Sequence, residues 1–287
     1  MLTKIYLEIT NVCNLHCSFC HGTKRAKGFM SREDFCRVLE KIKGKSKYLY
    51  LHLLGEPMLH PLLPTFCAMA KEAGFEVMLT TNGTKVKECG NFVFSEGNVK
   101  KISISLQAAE FTKGENASIF GEEFDKYLSD IAVFSQNCAK NDVICVLRLW
   151  NIEDGVDNSQ IHQKLHELFP GNWIKNRSGY KLFDVPKGEM EVYLEYGEKF
   201  EWPDKNAPER KVSFCYALRD QIGILCDGTV VPCCLDADGE ISLGNIFEKD
   251  FDEILSCERA KKLAESFEKR QPCEKLCKSC GYAQRFE

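Results

Sequence analysis

Short apolar, β-prone runs recur along the first two-thirds of the chain. They fall at Lys4–Ile9, Tyr48–Leu54, Phe75–Thr80, Lys101–Leu106, Val143–Leu149 and Glu191–Tyr196, and each predicts a strand. Helical patterns lie between them. Phe35, Val38, Leu39 and Ile42 sit at i, i+3, i+4 and i+7, one helical face, behind a Ser31 cap with Asp34 at the capping-box position. Further helices are predicted at Leu63–Glu72, ending before Gly74, at Phe124–Ala139 and at Ile161–Leu168. Strands alternating with helices imply parallel βαβ units. Six such units are too few to close an eight-stranded barrel. The expected fold is therefore α/β, a partial (β/α)6 TIM-like barrel over residues 1–200. Ligand sites in such folds lie at the C-terminal ends of the strands.

The alternation stops at residues 201–210, a polar stretch with two prolines that reads as a linker. Residues 211–287 predict a small cysteine-rich extension. Gln221–Leu225 and Thr229–Pro232 form a hairpin around Asp227-Gly228, and a helix runs from Asp252 to Lys269. This extension holds eight of the 16 cysteines, Cys215, Cys226, Cys233, Cys234, Cys257, Cys273, Cys277 and Cys280.

Composition narrows the function classes. The 287 residues carry 38 Lys and Arg against 42 Asp and Glu, a net charge of −4. No basic stripe offsets phosphate repulsion, which argues against a nucleic-acid partner. No run of 18 apolar residues suits a membrane span, and the N-terminus lacks a secretory core. Cysteines clustered in metal-ligand spacing, without an export signal, point to the cytoplasm rather than to a disulfide scaffold.

The chemistry concentrates at Cys13-x3-Cys17-x2-Cys20, just after the first strand. Three thiolates hold three irons of a four-iron cluster and leave the fourth open to a cofactor. Leu54-Gly55-Glu56-Pro57 follows the second strand, and Thr80-Thr81-Asn82-Gly83-Thr84 follows the third. With Phe19 before the last cysteine, the set resembles the radical S-adenosylmethionine (SAM) superfamily, departing only at Leu54, where the family often has glycine. The resemblance implies that SAM chelates the open iron and is cleaved to a 5′-deoxyadenosyl radical that abstracts hydrogen from a substrate. It also implies SAM contacts at Phe19, Gly55, Glu56, Pro57, Asn82 and Ser105, with Glu56 alternatively bracing its loop. Arg148, a guanidinium in an apolar strand, needs an anionic partner, for which the SAM carboxylate is a candidate. Several keep a plainer reading. Ser105 lines the barrel, Asn82 forms a turn with Gly83, and Arg148 pairs with a strand acid such as Glu8. His16 and His21 flank the cluster cysteines, while His60, His162 and His166 read as surface or cap residues.

Cys215, Gly228-x4-Cys233, Leu243-Gly244-Asn245-Ile246 and Cys277-x2-Cys280 resemble the twitch or SPASM-type extension of that superfamily. The resemblance implies one auxiliary [4Fe–4S] cluster on Cys215, Cys233, Cys277 and Cys280, with Cys234 and Cys273 as alternates. A four-cysteine zinc site is the plainer reading of the same spacing. The remaining cysteines read as small apolar residues.

The enzyme expected is a radical SAM enzyme that abstracts hydrogen from a peptide side chain during maturation of a ribosomal peptide or protein. A small alcohol or sugar, oxidised to a carbonyl, is the alternative substrate. The chain begins at the first strand, with no leader-binding domain ahead of it, which counts against the peptide. An electron donor such as a flavodoxin or ferredoxin is implied. A non-catalytic Fe–S carrier would explain the cysteines but not Gly55-Glu56-Pro57. No catalytic acid or base stands out.

Overall fold

The computed structural model describes residues 2–17, 19–94, 98–110, 122–152, 157–182 and 192–286. Its first strand sets the pattern for the rest. In β1 (Lys4–Leu7), Ile5 and Leu7 are fully buried on one side, while Lys4 and Tyr6 face the other and stay partly exposed. Strand side chains alternate in this way by geometry, so one side meets helices and the other a central lumen. The helices that follow are α1 (Arg32–Ile42), α2 (Leu63–Glu72), α3 (Val86–Cys89), α4 (Gln107–Glu110), α5 (Glu122–Lys140) and α6 (Ser159–Leu168). Between them run β2 (Tyr48–Tyr50), β3 (Glu76–Thr81), β4 (Lys101–Ser105) and β5 (Ile144–Ile152). After α6 come β6 (Ile174–Lys175), β7 (Gly179–Lys181) and β8 (Val192–Glu198).

The helix-facing sides supply the core. Leu49, Leu51, Leu79, Ile102, Ile104, Leu147, Leu149 and Leu194 pack with Phe35, Phe66, Leu128 and Ile131 from the helices. Each fully buried side chain of this kind contributes about 1.5–3 kcal/mol. The Phe35 and Phe66 rings stack with centroids 4.0 Å apart and lock α1 to α2. Ser31 caps α1 by accepting from the Asp34 amide, as its sequence predicts.

The six expected strands β1, β2, β3, β4, β5 and β8 are present, neighbouring and parallel, in a sheet that does not close. Three features depart from expectation. A short hairpin, β6–β7, adds antiparallel strands beyond β8. The C-terminal hairpin, β9 (Gln221–Ile224) and β10 (Thr229–Val231), is not a separate unit, because β9 pairs parallel with β1 as a seventh parallel strand. β11 (Gly244–Asn245) continues that edge. The single predicted C-terminal helix is two, α7 (Phe251–Leu255) and α8 (Glu258–Glu268), because Cys257 adopts extended backbone and caps α8, its sulfur accepting from the Ala260 amide. The last helix is α9 (Lys275–Lys278). Glu191, the expected start of the last barrel strand, lies outside the described residues.

The 201–210 stretch packs closely, as its expected linker role did not suggest. The Trp202 indole donates to the Phe19 carbonyl at 2.9 Å, Pro203 is buried, and the Arg210 amide donates to the Lys278 carbonyl.

One ion pair joins these parts. The Arg25 guanidinium donates to both oxygens of fully buried Glu8 at 2.7 Å, and its Nε donates to the Ala237 carbonyl. Burial pushes the Glu8 carboxyl up, and Arg25 pulls it back down. Arg25→Ala strands this carboxylate, and breaking a buried pair from one side costs about 3–5 kcal/mol. Urea unfolding is expected to show that loss, with Glu8→Gln restoring part of it in the double variant.

Candidate functional site

The loop carrying Cys13, Cys17 and Cys20 springs from the C-terminal end of β1 and is pinned at its base. Thr10 bridges Phe29, Thr10 Oγ1 donates to the Gly28 carbonyl, and Asn11 brackets Ala26 and Gly28 with its side-chain amide. The Cys20 amide turns back onto the Cys17 carbonyl at 3.0 Å. Burial, then the neighbouring Cys20 and Cys13, raise the Cys17 thiol to about 12, and burial likewise raises Cys13. Two desolvated thiols, Cys13 and Cys17, beside the exposed Cys20 hold charge poorly unless a metal supplies the countercharge. That donor set fits an iron–sulfur cluster.

The loop after β2 closes on this one. The Glu56 amide donates to the Val12 carbonyl, and Gly55 adopts φ +74°. A Cβ at Gly55 would lie 2.5 Å from the Thr10 carbonyl oxygen and 2.8 Å from Asn11 Cα. Only glycine lets the two backbones approach this closely. Glu56 is buried and accepts from the Met58 amide at 2.9 Å, the Thr81 hydroxyl at 2.7 Å and the Asn82 amide at 2.7 Å. The carboxylate thus braces the ends of β2 and β3, and Pro57 opens a 3-10 turn beside it. Asn82 Nδ2 donates to Asn14 Oδ1, and its Oδ1 accepts from Thr84, so its side chain joins the turn after β3 to the cysteine loop.

Ser105 and Arg148 are register partners on the lumen side, with Glu195 next on β8. Arg148 Nε lies 3.4 Å from Glu195 Oε2, and its guanidinium covers the Trp150 ring at 4.7 Å. Glu8, the strand acid expected for Arg148, is instead taken by Arg25. Phe19 lies beside the Trp202 indole.

The second cysteine group also converges. Cys215, Cys233, Cys277 and Cys280 line one cavity, walled by Leu276, Phe267 and Ile241. Burial raises all four thiols, and neighbouring thiols add to this at Cys215, Cys233 and Cys277. Cys273 is exposed and lies elsewhere, near Cys257 and Arg259. Cys234 turns away from the cavity and shares a hydrogen bond with the Tyr6 phenol on the lumen side of β1. Among the described residues no three His, Cys, Asp or Glu side chains close around a single ion position. A cluster in which each iron takes its own thiolate asks for spaced thiols instead.

Sequence reasoning passed over several lumen residues, Tyr6, Tyr50, His52, Trp150 and Glu195. Strand alternation marks them, since each lies two or four residues from another inward position. His52 contacts the Tyr6 and Tyr50 rings edge-on, and burial with the nearby Arg148 lowers it to about 3, so it is a neutral imidazole. Of the histidines expected at caps or surfaces, His60 is a buried cap. Its Nδ1 accepts from the Leu62 amide, and its Nε2 lies 3.1 Å from the Met30 carbonyl. His162 and His166 pack on Tyr196 and Trp173. His21 stacks on Trp202, 3.9 Å from Asp238.

Two family matches cover most of the chain. The radical SAM superfamily matches residues 7–154, and SPASM, an iron–sulfur cluster-binding domain, matches residues 215–281. Among curated proteins, the chain is 33% identical over 84 residues to a tungsten-containing aldehyde ferredoxin oxidoreductase cofactor-modifying protein of Pyrococcus furiosus, spanning 28% of this chain and 24% of that one. It is 24% identical over 129 residues to an AdoMet-dependent heme synthase of Methanosarcina barkeri, spanning 44% of this chain and 37% of that one. These matches thus span well under half of the relatives' length. Among solved structures, BtrN in complex with AdoMet and 2-DOIA aligns over 98% of this chain and 93% of its own, with TM-score 0.60 and 18% identity. AnSMEcpe with bound AdoMet aligns over 99% and 86%, with TM-score 0.64 and 13% identity. SuiB of Streptococcus suis bound to precursor peptide SuiA aligns over 99% and 70%, with TM-score 0.54 and 15% identity. At these identities the structural likeness speaks for the fold. No helix among the described residues is long and apolar enough to cross a membrane.

The Glu56 carboxyl sets a pH test. Burial raises it from 4.5 to about 7 in the folded protein, against the pull of its three donors. The folded state therefore binds this proton more tightly than the unfolded state does. Its contribution to stability is full below about pH 4.5 and is lost as pH rises to about 7, a change of about 3 kcal/mol. In urea unfolding of the cluster-free protein, the wild type minus Glu56→Gln stability difference should fall by that amount across the window. A flat difference would refute the assignment.

Proposed function

This chain belongs to the radical SAM superfamily, and on that premise we propose that it abstracts hydrogen from a peptide or protein side chain held in the barrel lumen. It is an enzyme that uses SAM, a [4Fe–4S] cluster and auxiliary iron–sulfur chemistry in its SPASM domain. When bound, SAM supplies the carbon radical that takes the hydrogen atom. Cys13, Cys17 and Cys20 hold the cluster that binds it. Gly55 would leave the loop backbone open to the cofactor, and Ser105 and Arg148, from β4 and β5, would bind its carboxylate. Phe19 and Pro57 pack beside it, while Glu56 and Asn82 hold the two loops in place. Cys215, Cys233, Cys277 and Cys280 hold one auxiliary cluster. The barrel, residues 1–200, and the cysteine-rich extension, residues 211–287, work as one site, joined by the packed 201–210 segment. A small acidic one-electron carrier such as a flavodoxin or ferredoxin supplies electrons in the cytoplasm.

The observation that carries this reading is the contact between the cysteine-rich extension and the barrel lumen. The three-cysteine loop leaves the C-terminal end of β1, and the four-cysteine cavity is built beside β9, the strand paired with β1. Tyr282, two residues past Cys280, lies close enough to Arg148 and Cys234 for their charges to act on its hydroxyl. A substrate placed there lies between two clusters. Peptides bound to anSMEcpe and SuiB, proteins of the same fold, favour a side chain as substrate. BtrN, holding 2-DOIA and nearly equal in length to this chain, favours a second reading, oxidation of a small alcohol or sugar.

Two measurements test the assignment. Reconstituted protein should carry about eight irons per chain, and Cys215→Ala or Cys277→Ala about four. After reduction with dithionite the wild type should release 5′-deoxyadenosine, and Cys13→Ala none. Equal yields from the two proteins would end the enzyme reading, and an unchanged iron count in the Cys215→Ala protein would end the auxiliary assignment.

A further inference from the structure

Buried polar atoms in folded proteins nearly always have hydrogen-bond partners, so a cluster of exceptions calls for a ligand. Five side-chain atoms are buried without a hydrogen bond among the described residues: His52 Nδ1, Gln107 Oε1, Trp150 Nε1, and Arg148 Nε and Glu195 Oε2, which face each other only as an ion pair at 3.4 Å. They are not scattered through the core. His52 follows β2, Arg148 and Trp150 are alternate residues of β5, Glu195 is the register partner of Arg148 on β8, and Gln107 lies two residues beyond Ser105. All lie at the lumen end where the cysteine loops stand. The fold makes room for them. A Cβ at Gly197 would fall 2.8 Å from the Trp150 ring, so glycine there lets the indole stand in the lumen. Arg285, from the C-terminal extension, covers the same ring at 5.8 Å.

Resting on the radical SAM reading above, we propose that His52, Trp150 and Glu195 form a substrate-orienting site for a neutral group that donates and accepts hydrogen bonds at once, a hydroxyl or a carboxamide. Trp150 offers only a donor and Glu195 only an acceptor, while the neutral His52 imidazole offers either. A group matching all three must carry a proton and a lone pair on neighbouring or identical atoms. Net charge is disfavoured in both signs. Arg148 and Glu195 already neutralise each other at 3.4 Å, so a buried ion of either sign would find no unpaired countercharge there. An apolar group would leave the His52 and Trp150 nitrogens unpaired, at about 1–3 kcal/mol each. These three are positioning residues that fix which carbon faces the radical.

The chemistry is shared by a Ser, Thr, Asn or Gln side chain and by a free polyol, and the test separates them. Anaerobic equilibrium dialysis with reconstituted, SAM-bound, unreduced protein would use two probe sets. One is blocked tripeptides with a central Ser, Thr, Asn, Gln, Leu, Lys or Glu, and the other is myo-inositol. At least one neutral donor–acceptor probe should bind about tenfold tighter than the Leu, Lys and Glu peptides. His52→Ala and Glu195→Gln should each weaken that probe about fivefold to tenfold, as loss of one buried hydrogen bond requires. His52→Gln, which keeps a donor and an acceptor, should recover most of the loss. A merely structural role would lower affinity for every probe alike and would not be rescued. Equal affinity for charged or apolar peptides, no binding by any probe, or variants that bind as the wild type does would overturn the proposal. Failure to form 5′-deoxyadenosine while the neutral probe still binds would sink the radical reading and leave this site standing.

Discussion

The structure depends on one buried carboxylate that is never left alone. Glu8 stands at the end of β1, where the strand gives way to the cysteine loop. Arg25, at the far side of that loop, grips both its oxygens, and the Cys226 amide donates to it from the C-terminal hairpin. Three separate stretches of sequence are thereby tied at one point. Burying such a pair gives little net stability over an apolar alternative. What it gives is position. The guanidinium also holds the Ala237 carbonyl, so the loop bearing one set of thiols and the segment following Cys233 and Cys234 are fixed to the same side chain.

A second carboxylate does the same work around the rim. Glu56 needs three donors because it is buried, and those donors come from two different strand ends. The sequence segment around it is therefore not a free loop but a strut between β2 and β3. Gly55 and Gly83 complete the strut from opposite sides. At Gly83, with φ +81°, a side chain would press on Ile104, Ile131 and Tyr127, whose hydroxyl donates to the Asn82 carbonyl. Backbone approach and buried charge are parts of one arrangement. The glycines let the strands converge, and the convergence removes water from the carboxylate, which then demands the hydrogen bonds that hold the loops together.

These features were legible in the sequence to different degrees. The six barrel strands and α1 followed from apolar spacing, because both sides of a parallel sheet's pattern are written locally. The two cysteine groups were legible because metal-ligand spacing is short-range. The docking of β9 on β1 was not, since its partner lies more than 200 residues away and no local signal names it. The split between α7 and α8 was hidden for another reason. Cys257 reads as an apolar residue, yet its sulfur serves as a cap. Arg148 pairs with a strand acid as expected, but which one was not written locally: only the fold shows that Arg25 claims Glu8 and leaves Glu195 to Arg148. His52 went unremarked because a lone histidine after a strand looks like any other until the strand's alternation is projected onto the lumen.

The seventh parallel strand has a further consequence for how the two cysteine groups relate. Had the extension been a domain on a flexible tether, the distance between them would vary with the hinge. Instead β9 is paired residue by residue with β1, from Lys4 opposite Gln221 to Leu7 opposite Ile224. Cys13 lies six residues past the end of β1, and Cys233 lies just past β10, the hairpin partner of β9. Cys13 and Cys233 therefore follow strands two apart in one hydrogen-bonded sheet, whose spacing is set by backbone geometry at about 4.8 Å per strand. Chemistry that passes a single electron or hydrogen atom is sensitive to distance and tolerates little wandering. A shared sheet supplies that constancy without relying on any one side chain, and it leaves the lumen side chains free to be chosen for the substrate alone.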